Sequence, residues 1–172
     1  AESYEPNLSM LTGKPPFLEE VLKKKKWDII GFSVLEETFI FDIENMYLSE
    51  KICPEAIFIA GGIEAQFNYQ NVLDKTPCKF VIISEGEKSL LALADNKPIN
   101  EIPGIVFKNS SVPLDQQTFD FATSSIDWEN LPYEQYWDYY TNKYGNKITE
   151  LNLEEIHTVR IFGRNRCPIG CK

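Results

Sequence analysis

Trp27-Asp28-Ile29-Ile30-Gly31-Phe32-Ser33-Val34 is the stretch that decides the fold. It is short and apolar, as expected of a strand buried on both faces of a parallel sheet. Residues 36–51 follow with helical spacing, placing Phe39, Ile43, Met46, Tyr47 and Ile52 on one face and Glu37, Glu44 and Glu50 elsewhere. The alternation then repeats. Residues 56–60 read as a second strand closed by Gly61-Gly62, residues 65–73 as a polar helix or loop, and residues 79–83 as a third strand. Glu85-Gly86-Glu87 opens a helix over 88–95, where acidic residues suit the helix dipole. Residues 103–108 form a fourth strand, and Asn109-Ser110-Ser111 turns it toward Val112-Pro113-Leu114, a hairpin signal at a sheet edge. Strands separated by helices predict a doubly wound α/β domain with a parallel sheet and right-handed crossovers, spanning residues 1–114. Such sheets bind ligands outside the carboxyl ends of their strands. Those ends carry Ser33-Val34-Leu35, Gly61-Gly62 and Glu85-Gly86-Glu87.

The composition supports a folded domain and narrows its partners. With 172 residues, 43% of them hydrophobic and 13% aromatic, the chain can bury a real core. A net charge of -9 disfavours a polyanion-binding surface, so no nucleic-acid partner is predicted. The four lysines at 23–26 end a helical stretch over 17–26, and read as a solvated helix end rather than a basic patch. The sequence contains no run of about 18 apolar residues and no charged–apolar–small leader pattern. No membrane partner is predicted, and the expected location is cytoplasmic. Four cysteines do not make a disulfide scaffold, and Cys53 and Cys78 read as free thiols.

The character changes over residues 115–155. Trp128, Tyr133, Tyr136, Trp137, Tyr139, Tyr140 and Tyr144 cluster there among acidic residues, as in a connector that packs through its rings. The acidic setting favours packing over a stacking platform for sugars or bases. Residues 157–163 then read as a strand leading into Arg166-Cys167-Pro168-Ile169-Gly170-Cys171-Lys172. Two cysteines four positions apart, with Pro and Gly between them, can point two thiolates at one metal. This is the expected beginning of an iron–sulfur cluster loop, and a third cysteine two or three residues beyond Lys172 would complete it. A zinc site needs two more ligands that the spacing does not offer, and a disulfide across three residues is awkward.

Glycine after a strand lets backbone approach a ligand, and a serine hydroxyl can donate to an amide or ring nitrogen. Taken singly, Ser33, Leu35, Gly61, Gly62, Glu85 and Gly86 read first as turn chemistry and an acidic helix start. Taken in order with Ile102-Pro103-Gly104-Ile105-Val106-Phe107, the acidic aromatic linker and the cysteine loop, they resemble something more definite. Over roughly residues 27–172 the chain is similar to the amino-terminal half of radical S-adenosylmethionine enzymes that carry a cobalamin-binding-type, Rossmann-like domain.

The resemblance implies a division into that domain (1–114), a linker (115–155) and the start of the radical S-adenosylmethionine barrel (156–172), with residues 159–163 as its first strand. Cys167 and Cys171 would be two of three thiolate ligands to a 4Fe-4S cluster, whose open iron would chelate S-adenosylmethionine for reductive cleavage to a 5′-deoxyadenosyl radical. Ser33, Leu35, Gly61 and Gly62, with Glu85 and Gly86 beside them, would line a cobalamin pocket. The implied partners are these small-molecule cofactors and the barrel domain itself. The sequence also departs from the pattern. No histidine precedes Ser33, and the single histidine is His157. Gly61-Gly62-Ile63-Glu64-Ala65 stands where many relatives show Gly-Gly-x-His-Ala, and Ser84 where a glycine is usual. Cobalamin would therefore bind without a histidine axial ligand. Two other readings stay open at this level: a binding module for cobalamin or a dinucleotide-sized ligand, and a docking domain that keeps the fold without a cofactor.

Overall fold

The computed structural model describes residues 4, 6–83, 86–110 and 132–144. Its elements in chain order are α1 (Pro6–Thr12), α2 (Leu18–Leu22), β1 (Ile29–Ser33), α3 (Phe39–Ile52), β2 (Ile57–Gly61), α4 (Ile63–Phe67), α5 (Tyr69–Lys75), β3 (Phe80–Ile82), α6 (Glu87–Ala94), β4 (Ile105–Val106) and α7 (Tyr133–Tyr144). The chain divides into two compact units: Leu18–Phe119, and Ala1–Phe17 together with Asp120–Lys172.

The first of these units is a mixed α/β, Rossmann-like domain whose mostly parallel sheet has the order β1-β2-β3-β4. β1 pairs in parallel with β2, Ile29 opposite Ile57 and Ser33 opposite Gly61. β2 pairs in parallel with β3. Alternate strand residues separate cleanly into two clusters. Phe58, Ala60, Val81, Ile83 and Val106 pack on one face with Met46 of α3, Ala65 of α4, and Val72 and Leu73 of α5. Ile59, Ile82 and Ile105 pack on the other with Ala92 and Leu93 of α6 and with Ile102. Side chains of successive residues on a strand point to opposite faces, so two apolar faces require unbroken apolar runs. Each fully buried valine, isoleucine or phenylalanine contributes roughly 1.5–3 kcal/mol of transfer free energy.

The fourth strand differs from the expected parallel arrangement, because β4 runs antiparallel to β3, with Ile82 opposite Ile105. The chain returns to the carboxyl end of β3 after α6, through residues 95–104, before β4 begins. Asn96, at φ +57, reverses the direction after α6. Buried Ser89 of α6 donates to the carbonyl of Pro103 at 2.7 Å and ties the returning segment to the helix. Ile83 then donates its N–H to the carbonyl of Gly104 at 2.9 Å.

Three local readings are refined. On α3 the buried residues are Met46 and Ser49, and Tyr47 is 49% exposed, one position off the covered stripe. Ser49 satisfies its hydroxyl by donating to the carbonyl of Asn45 at 2.7 Å, which lets a polar residue be buried. The polar stretch 65–73 falls within two short helices, α4 and α5, because Asn68 leaves helical geometry between them. In the lysine run, Lys23 pairs with Glu19, and Lys25 lies 4.3 Å from the centre of the Trp27 ring. Trp27 is anchored by donating its indole N–H to the carbonyl of Leu22 at 3.0 Å.

In the other unit α1 packs against α7. Along α7, Tyr133 stacks on Trp137 at 5.6 Å and Tyr140 on Tyr144 at 5.9 Å, so the rings pack along the helix itself. The expected strand at 112–114, most of the connector, the strand at 157–163, Cys167 and Cys171 lie outside the described residues. Among those described, no helix is long and apolar enough to cross a membrane.

Cys53 and Cys78 are free thiols. Cys78 is buried with its Sγ 3.7 Å from Sδ of Met46, and burial pushes its thiol up from 9.0 to about 11. A raised thiol pKa supports the fold fully below 9.0, and that support is lost as pH climbs toward about 11, because the unfolded chain ionises first. The stability gap between the wild type and Cys78→Ala should therefore shrink by about 1–2 kcal/mol across that interval. Urea denaturation of both proteins at matched pH measures it, and a constant gap would contradict the burial of this thiol.

Candidate functional site

The carboxyl ends of β1 and β2 are knitted together by two hydrogen bonds on the backbone of Val34. Val34 donates its N–H to the carbonyl of Gly61 at 2.8 Å, and its own carbonyl accepts from Glu64 N–H at 3.2 Å. Val34 is fully buried between them. Gly62 sits in the middle with φ +92, a conformation that L side chains rarely adopt. A Cβ there would also stand 2.7 Å from the carbonyl oxygen of Val34 and 2.8 Å from its nitrogen. Two independent constraints thus require glycine at 62.

This clamp positions the residues predicted from sequence. Ser33 and Gly61 are register partners, and Gly31 lies two residues earlier on the same side of β1. Ser33 and Gly31 are exposed, and a Cβ placed on Gly31 would meet nothing within 4 Å. No described group bonds the Ser33 hydroxyl. The upper end of β1 therefore presents a strip of bare strand surface with one free hydroxyl on it. Gly61 leads on to β3, since a Cβ at that position would lie 3.9 Å from the carbonyl of Ile82. Gly86 continues the line, at 3.7 Å from Ile82 Cγ2 by the same measure, and caps α6 by accepting from Leu90 N–H at 2.7 Å. Its φ of -83 is ordinary, so position 86 does not demand glycine. Leu35 is 43% exposed in the loop after β1, and its carbonyl accepts from Thr38 N–H at 3.3 Å. Glu85 lies outside the described residues, as do both cysteines of the proposed cluster loop.

Ser33, Gly61 and Gly62 are thus brought together in one set of loops, with Leu35 close in sequence and Gly86 linked through Ile82. Two further residues belong with them. Gly31 is readable as part of the strip, because it alternates with Ser33 along β1. Glu64 stands out in the sequence only as a departure from a motif, yet it is 7% exposed, with Oε1 accepting from Asn68 Nδ2 at 3.0 Å. Exposed Ile63 and Phe67 flank it on α4. Among the described residues, no group of three or more His, Cys, Asp or Glu side chains is arranged to hold a metal ion. The described part of the candidate site is a strip of exposed strand, a hydroxyl, a buried carboxylate and an apolar margin.

No protein-family profile and no solved structure matches the chain. The chain is similar to the anaerobic magnesium-protoporphyrin IX monomethyl ester cyclase of Cereibacter sphaeroides, with 27% identity over 134 residues. The match covers 68% of this chain and 22% of the relative, so the chain spans about a fifth of that protein's length.

Gly62→Ala should destabilise the protein by at least about 2 kcal/mol, from strained backbone plus the contact with Val34. Gly31→Ala, at an open strand position, should cost well under half as much. Chemical denaturation of the two variants tests this, and equal losses would show that the Gly62–Val34 contact is not the constraint.

Proposed function

We propose that this chain is the amino-terminal part of a radical S-adenosylmethionine enzyme, with a cobalamin-binding-like domain followed by the start of a 4Fe-4S cluster loop. The observation that carries this reading is the similarity to an anaerobic cyclase over 68% of the chain. A ring closure carried out anaerobically has no dioxygen to draw on, and radical initiation from S-adenosylmethionine works without it. The order of sequence motifs, ending in Cys167 and Cys171, supports the same reading.

The chain's own residues would divide the work. Gly31 and Gly61 would let a large flat cofactor lie close to the strand ends, and the free hydroxyl of Ser33 would donate to it. Gly62 would hold the two loops in register beneath that cofactor. Cys167 and Cys171 would supply two thiolates to the cluster, which when bound provides the single electron that splits S-adenosylmethionine. Three protein thiolates suffice because one iron must stay open for substrate. The nature of the radical reaction would be set by the barrel domain against which this domain packs.

Anaerobic iron–sulfide reconstitution of the full-length protein tests the proposal. The expected result is a reducible four-iron cluster in optical and electron paramagnetic resonance spectra, lost in Cys167→Ala and in Cys171→Ala with the circular dichroism spectrum unchanged. A folded protein that takes up no cluster while both thiols remain titratable would overturn it.

A further inference from the structure

We propose that Glu64 is a ligand-binding residue of the strand-end site, whose carboxylate accepts hydrogen bonds from N–H groups of the bound cofactor. The starting observation is a carboxylate that is buried but only partly satisfied. Glu64 is 7% exposed, and Asn68 Nδ2 is the donor it has among the described residues, at 3.0 Å on Oε1. Asn68 is neutral, and the structure shows no lysine, arginine or histidine paired with Glu64 among the described residues. An ionised carboxylate offers about four acceptor positions, and burying it with one neutral donor is costly. A carboxylate kept in such a place has acceptor positions left over for a partner that arrives later.

Its location puts that capacity beside the strand-end loops. The backbone of Glu64 is pinned to the strand-end loops, because its N–H donates to the carbonyl of Val34 at 3.2 Å. Gly62, two residues earlier, is packed on Val34 and lies beside the Ser33 hydroxyl, with a Cβ position 3.2 Å from Ser33 Oγ. The loops around it contribute Glu36 and Glu37 and no basic residue over 33–38 or 61–67. A phosphate-rich ligand would be repelled by this setting, whereas one carrying primary amides supplies what the carboxylate lacks. Glu64 would thus contribute an acceptor where Ser33 contributes a donor.

This inference rests on the reading of the strand ends as a cobalamin-type site, so the probe is hydroxocobalamin, whose corrin bears several primary amide arms. The full-length protein, Glu64→Gln and Glu64→Ala are each titrated with hydroxocobalamin by calorimetry and absorbance, with a thermal melt of each variant. Glu64→Gln keeps the shape and, through its amide oxygen, the bond to Asn68, but replaces the charge and the second acceptor oxygen with an NH2 donor, so it should melt as the wild type does. Its Kd should rise about tenfold, because a charge-assisted hydrogen bond to the ligand N–H is lost. Wild-type binding that is unchanged in Glu64→Gln would overturn the role of Glu64 and leave the cofactor reading intact. Failure of the wild type to bind hydroxocobalamin would overturn both the cobalamin reading of these strand ends and this inference. The cluster measurement is independent of either result.

Discussion

The close contact of Gly62 with the backbone of Val34 is the constraint on which the carboxyl end of the sheet depends. Parallel strands are joined by long crossovers, so nothing local forces their ends to align. Here the alignment is made by main-chain groups: Val34 is held between Gly61 and Glu64, and Gly62 lies on Val34 with a separation too small for any Cβ. The result is a pair of loops in which main-chain contacts set the relation of Ser33, Gly61 and Glu64. A binding site built on such loops gains precision from the sheet beneath it, because little ordering remains to be done when a ligand arrives.

The sheet itself is stabilised from both sides, and the two sides are unequal. One face carries α3, α4 and α5 in a continuous apolar cluster that reaches from Val34 to Val106. The other is covered by α6 and the segment around Ile102, over β3 and β4. Toward β1 that second face thins out, with Ile29 only half-buried and Gly31 and Ser33 exposed. The bare strip is therefore a consequence of where α6 packs: covering the far half of the sheet leaves the near half open at the strand ends. The position of the site and the distribution of the core are one fact.

The β1–α3–β2 half of this fold is readable from residue order because apolar runs and helical spacing are local properties. The direction of β4 is not, since Ile105 and Val106 look the same in either direction. What decides it is the return after α6, fixed by the Ser89–Pro103 bond, which joins residues fourteen apart. The exposure of Tyr47 is also hidden, because an apolar ring at the margin of a helical stripe carries no mark of which side it falls on. Glycines after strands mark these loops in the sequence, yet residue order alone weights Gly61, Gly62 and Gly86 equally. Only geometry separates them: Gly62 is required by conformation and contact, whereas Gly86 has an ordinary φ and room for a side chain. Glu64 reads as a motif departure because burial of a carboxylate is a tertiary property.

The charge of the strand-end loops bears on which class of ligand they suit. Dinucleotide sites in α/β sheets hold a pyrophosphate at a helix N-terminus through a glycine-rich turn, and negative charge nearby works against them. Glu36 and Glu37 follow β1, Glu64 follows β2, and none of the loop positions 33–38 or 61–67 carries a positive charge. The short α4, five residues long, has little dipole to offset that acidity. The ligand proposed above, large and flat with amide donors and an apolar face, would answer each of these features. In the complex proposed above, the amides would meet the carboxylate, the flat face the glycine strip, and the apolar edges Leu35, Ile63 and Phe67. The acidity of these loops therefore sets them against a polyanionic ligand.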